Sequence, residues 1–123
     1  MNTGATATVS HEVSDLDTAA ALGSGSVPVL ATPRLLAWCE EATVLAIGPT
    51  LDPGTTSVGV EVRLDHVAPS PIGRVVRAEA TIEKIKGRRC YFTVAAHDDR
   101  GLVAVGKVVR VVVDEAIFLS KCE

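Results

Sequence analysis

Three polar side chains stand where the surrounding pattern is apolar, and their types suit acid–base or nucleophilic chemistry. Glu40 lies inside the run PRLLAWCEEATVLAI, residues 33–47, on a helical stripe with Leu36, Thr43 and Ile47. Its neighbour Glu41 is rotated by about 100° at ~3.6 residues per turn, so one carboxylate can be buried while the other is solvated. A buried carboxylate needs a partner or a shifted pKa, which makes it a site candidate. Two glutamates on one exposed helix edge would account for the pattern equally well. His66 continues the inward parity of Val58, Val60, Val62 and Leu64, which aims it at the core side of a strand end. A histidine there can move protons near neutral pH, or it can be a structural side chain bonded to a backbone carbonyl. Thr32 precedes the helix. It reads as a helix N-cap before proline, with a hydroxyl that orients water or attacks a carbonyl as the alternative. His11 and His97 fall near a strand end and a turn and read as solvated. Cys39, on the apolar helix, reads as core rather than as a nucleophile.

The elements that must position these residues follow from the periodicities. Residues 5–13 read as a first strand, and 14–26 as a small, polar loop with Gly and Ser at 23–26 and room for a helical turn at 17–22. Pro33 suits the first helical position, and Gly48-Pro49 ends the helix. Apolar residues occupy nearly the whole helix circumference, the mark of a buried helix. Residues 55–66 alternate strictly, and APSPIG, 68–73, breaks that strand. Residues 74–86 form another strand, in which Ile85 has the opposite parity to Ile82 and so implies a bulge near Glu83. Residues 89–97 and 102–113 are the last strands, joined by the hairpin turn Asp98-Asp99-Arg100-Gly101. The tail 114–123 carries no clear signal. One long helix followed by strands in hairpin-like succession is an α+β pattern, most economically an antiparallel sheet of about five strands wrapped around the helix. Such a sheet has edge strands that a second copy can cover or extend.

The chain has 123 residues, which is enough for one domain, residues 1–123, and not for two. Aromatic residues make up only 3%, so the core must come from Val, Ala, Leu and Ile, and no platform for stacking bases exists. The net charge of −3 argues against nucleic acid as partner. Lys84, Lys86, Arg88 and Arg89 are the local exception. They read as a solvated strand end, or as a contact for the phosphates of a nucleotide-bearing substrate. Three cysteines without a CxxC pair form neither a disulfide framework nor a zinc site. Reduced thiols, no signal-peptide pattern at the N-terminus and no apolar run near the ~20 residues of a membrane span make a cytoplasmic protein the expectation.

Taken together, these residues resemble the fluoroacetyl-CoA-thioesterase-like hotdog proteins. The likeness is carried by VLATPRLLAWCEEATVLAI, with Thr32 and then Glu40 eight positions on. GVEVRLDHVAPSPIG follows, with Gly59, His66 and Gly73, and then Gly106 with Arg110 four residues later. It runs from about residue 5 to 113. The resemblance implies a hotdog fold and a Thr32-Glu40-His66 site that hydrolyses an acyl-CoA thioester with no cofactor or metal. By analogy Thr32 attacks or orients water, His66 moves protons, and Glu40 orients the site or acts as nucleophile or base. The Gly59 amide is a candidate oxyanion donor, and Gly59 and Arg110 are the substrate-binding candidates. Eight helical residues at ~1.5 Å each separate Thr32 from Glu40 by about 12 Å. The site is therefore expected to be completed across a homodimer interface, with Thr32 of one chain approaching Glu40 or His66 of the other. Pairing of dimers into tetramers stays open. No aromatic residue precedes Trp38, so the aromatic gate of the fluoroacetyl-selective member is not available, and the polar loop 17–26 is the segment left to cover the pocket.

Three competing readings have distinct signatures. A non-catalytic acyl-CoA-binding module keeps the pocket but does not need Thr32, Glu40 and His66 together. A hydratase places an Asp and a His side by side, and Asp65-His66 fails because adjacent strand residues face opposite sides. A structural interaction protein binds no CoA.

Overall fold

The computed structural model describes residues 2–123. Strand β1 (Thr6–Glu12) leads through a 3-10 turn at Asp15–Asp17 to the short helix α1 (Ala19–Leu22) and then to the long helix α2 (Thr32–Ile47). Strands β2 (Thr55–His66), β3 (Val75–Lys86), β4 (Arg89–Asp98) and β5 (Gly101–Asp114) follow, and helix α3 (Glu115–Ser120) occupies the tail that carried no sequence signal. The sheet order is β1-β3-β4-β5-β2, antiparallel throughout, and α2 packs on its inner face. This is the hotdog layout that the sequence implies.

The core joins Leu35, Trp38, Cys39, Ala42 and Ile47 of α2 to Val76, Ala78, Ala80 and Ile82 of β3 and to Phe92, Val94 and Val108 beyond. Burial at 0–1% exposure of Leu35, Ile82 and Phe92 supplies the main driving force that fixes helix on sheet. The helix is not buried all round, as its composition suggests. Val44 and Leu45 are 45% and 51% exposed, and Val60 and Val62 of β2 are similarly uncovered. One subunit therefore leaves an apolar stretch along α2 and β2. Strand β2 is a sheet edge, paired among the described residues with β5 alone.

Beside a register shift between Ala96 and His97 in the β4–β5 pair, two bulges mark β3 and β2. One lies between Ile82 and Lys84, at the position where the parity change implies it. The other lies in β2, where Gly59 faces Arg110 and Glu61 faces Val109, so Val60 is the extra residue. This corrects the uninterrupted alternation read from Val58 to Leu64. Val62, Leu64 and His66 share one face with Ser57 and Gly59, whereas Val58 falls on the other, opposite Val111. Further along, the Gly106 backbone sits so close to β2 that a Cβ there would lie 2.1 Å from the Arg63 carbonyl oxygen. Gly106→Ala should therefore force two paired strands apart and lower stability by about 3 kcal/mol, readable as a reduced denaturation midpoint.

Candidate active site

Helix α2 begins one residue earlier than the position of Pro33 suggests. Ala31 is the N-cap, with extended backbone and no side-chain cap, and Thr32 is the first helical residue. The Thr32 hydroxyl is thus not engaged as a cap. It lies 2.8 Å from Nδ1 of His66, the last residue of β2 in the same subunit. Of the two partners expected for Thr32 across a dimer interface, Glu40 or His66, His66 is thus met within the same chain. The turn after β2 folds back beside residues 29–31, and that fold-back closes the distance within one chain.

Burial pulls the His66 imidazole below its ordinary value of 6.5, with the Ala68 carbonyl opposing the shift. That shift favours the neutral ring, the form that can accept a proton. Its Nε2 is buried with no hydrogen-bond partner among the described residues. The Thr32 side of the pair opens into a cleft of 290 Å³ lined by Ala19, Ser24, Val29, Leu30, Ala68 and Pro69. Ala19 and Ser24 belong to the loop expected to cover the pocket, and no aromatic residue lines it. The cleft also receives the N-terminal end of the 16-residue helix α2, whose dipole favours negative charge.

Glu40 lies elsewhere. Its Oε2 accepts from the Arg110 guanidinium at 3.4 Å, and the Glu40 side chain is one-third exposed. Arg110 is buried and donates also to the Ser57 hydroxyl at 2.8 Å and the Ser57 carbonyl at 2.9 Å. Burial pulls Arg110 down from its ordinary value and Glu40 opposes that shift. Gly59 completes this second cluster: a Cβ on it would stand 2.6 Å from Glu40 Oε2. The absent side chain makes the notch into which the carboxylate fits. The five residues singled out in the sequence thus form two groups, Thr32 with His66 and Glu40 with Gly59 and Arg110, on the same inner face. Gly59 and His66 are seven residues apart along β2, about 23 Å at ~3.3 Å per residue.

Ser57 was missed because the β2 bulge reverses its parity. His11 is more than a solvated histidine: its ring stacks on Trp38 at 4.7 Å and its Nε2 lies 2.6 Å from Glu41 Oε1, tying β1 to α2. That contact takes Glu41 away from the cleft and resolves the choice between the two glutamates. His97 is exposed, as read. Lys84 lies over the Tyr91 ring at 5.3 Å. Burial, with Glu40 adding to it, pushes the Cys39 thiol up to about 11, which removes it as a nucleophile at neutral pH. Among the described residues no three His, Cys, Asp or Glu side chains converge as metal ligands, and no helix is long and apolar enough to cross a membrane.

Known proteins resemble this chain over most of its length. A curated fluoroacetyl-CoA thioesterase from Streptantibioticus cattleyicolor is 33% identical over 93 residues, covering 76% of this chain and 67% of its own. A solved structure of the fluoroacetyl-CoA thioesterase FlK superposes with a TM-score of 0.92 at 30% identity, over 99% of this chain and 95% of that one. A Thermus thermophilus hypothetical protein described as a thioesterase superfamily member gives a TM-score of 0.90 at 30% identity, over 97% and 88%. The family model described as fluoroacetyl-CoA-specific thioesterase matches residues 13–116, and the chain belongs to that family of hotdog-fold thioesterases.

Proposed function

We propose that this thioesterase hydrolyses a small acyl-CoA at a site built from Thr32 and His66 of one subunit and Glu40, Gly59 and Arg110 of a second. The 2.8 Å contact between a hydroxyl and a neutral imidazole carries the reading, because it is the arrangement of a nucleophile and its base. His66 takes the Thr32 proton as Oγ attacks the thioester carbonyl, and the developing oxyanion lies near the amino end of α2. The tetrahedral adduct expels the CoA thiolate, which takes the proton back from His66. Water, deprotonated by His66, then releases the free acid and restores Thr32. An antiparallel pairing of two β2 edges about a point near Val62 sets the Gly59 end of one strand beside the His66 end of the other. That arrangement supplies Glu40 to a pair that lacks a carboxylate in its own chain. It also covers Val60 and Val62. The largely aliphatic lining of the cleft, with no aromatic residue in it, leaves room for acyl groups larger than fluoroacetyl.

Free-thiol release from acyl-CoAs running from acetyl to long-chain and aromatic groups tests the activity. Turnover names the acyl group that the cleft accepts. Absence of turnover, with clear thermal stabilisation by CoA, would mean a binding module instead.

The lowered His66 pKa fixes the pH dependence. The base form exists above the folded-state pKa, so kcat/KM should rise with pH through an apparent pKa below 6.5 and stay level through neutrality. An acid limb centred above 6.5 would be inconsistent with His66 acting from this buried position.

A further inference from the structure

At the end of the sheet nearest the cleft, a buried polar network lies outside the residues assigned above. Asp98, the last residue of β4, has a side chain only 2% exposed, and Ser70, in the turn after β2, is wholly buried. The Ser70 hydroxyl donates to Asp98 Oδ2 at 2.9 Å, the Arg100 amide to Oδ1 at 2.8 Å, and Arg74 approaches Oδ2 at 3.4 Å. Burial would raise the Asp98 carboxyl, but the Arg100 amide, Ser70 and Arg74 together hold it below the ordinary carboxylate value.

The backbone of Ser70 connects this network to the site. Its carbonyl accepts from the Leu30 amide at 2.9 Å, two residues before Thr32, and Pro71 is bridged to Val29. On the other side, Val67 and Ala68, which directly follow His66, both donate to the Val103 carbonyl. The turn thus forms the exit from His66 and also lies against the approach to Thr32. Its inner anchor is the Ser70–Asp98 hydrogen bond.

We propose that Asp98, acting through Ser70, is a positioning residue that sets the Thr32–His66 distance. This inference rests on the reading of Thr32 and His66 as the reacting pair. Loss of the anchor lets residues 67–71 shift, and displacement of about 1 Å at a reacting pair costs on the order of a hundredfold in rate. Asp98 does not itself line the cleft, whereas Ala68 and Pro69 of the turn do, so the main loss falls on kcat with a smaller rise in KM.

Asp98→Asn and Ser70→Ala should each lower kcat for thiol release by about 10–100-fold and raise KM by a smaller factor than kcat falls. The His66 imidazole, followed by NMR, should titrate closer to 6.5 than in the wild type as the turn loosens and water enters. Asp99→Ala serves as control. Asp99 pairs with the same Arg74 but is 78% exposed, and its loss should change neither readout. Ser70→Ala keeps the Arg100 and Arg74 contacts of Asp98 and remains informative if Asp98→Asn does not fold. A folded Ser70→Ala variant with wild-type kcat and an unmoved His66 titration would overturn the proposal. Full turnover in Thr32→Ala, with the His66 titration still displaced in Ser70→Ala, would remove the active-site reading while leaving the Asp98–His66 coupling standing.

Discussion

Alanine at His66 should lower kcat by about 10²–10⁴-fold, the usual contribution of a positioned general base. Thr32→Ala should fall into the same range, because its hydroxyl and the imidazole lie 2.8 Å apart and neither performs its step without the other. The double variant should then be no slower than the slower single one, since residues that act as a unit lose their joint contribution once. Both side chains can be shortened with little expected effect on folding: Thr32 is exposed and provides no helix cap, and His66 ends its strand. Unchanged thermal midpoints with lost turnover are thus the expected pair of results. Independent, multiplicative losses would instead place Thr32 and His66 in separate steps.

The second large effect concerns Glu40. Glu40→Ala removes the acidic partner of buried Arg110 and, in the two-subunit site, the carboxylate facing the Thr32–His66 pair of the other chain. Turnover should fall by about 10²-fold or more. The decisive observation comes from mixing. Thr32→Ala and Glu40→Ala subunits, each nearly inactive, should regain about one quarter of wild-type activity when unfolded together and refolded at equal amounts. Half of the dimers are then mixed, and each mixed dimer carries one intact site of two. A site built within one chain gives no recovery, since every such site retains a defect.

The features legible in the sequence were those set by local periodicity. The α2 pattern, the four strands after it, the hairpin at Asp98–Gly101 and the bulge near Glu83 all follow from alternation, turn residues or a change of parity. The bulge at Val60 left no such trace, because valines at 58, 60 and 62 continue an apolar alternation straight through it. That single extra residue hid Ser57 from the inner face. Ser70 and Asp98 were hidden differently: each has the type expected in a turn, and only the tertiary fold brings them together and buries them. Local preference assigned the Thr32 hydroxyl to a helix cap, and a long-range contact overrode it. The composition of α2 could not separate the side that faces the sheet from the side left bare, since both are apolar.

That bare side also bears on how the chain avoids aggregation. A newly made subunit presents an unpaired strand with Val60 and Val62 half exposed, the kind of edge on which unfinished chains aggregate. Glu61, Arg63 and Asp65 alternate with the apolar side chains along it, and the bulge keeps it from lying flat. These features act as guards against indiscriminate stacking. A flat strand can slip by one residue and still pair, but one with an extra residue at a fixed place accepts few registers. The irregularity in β2 thus narrows the alignments in which any second strand can pair with this edge, compared with the many that a smooth edge would admit.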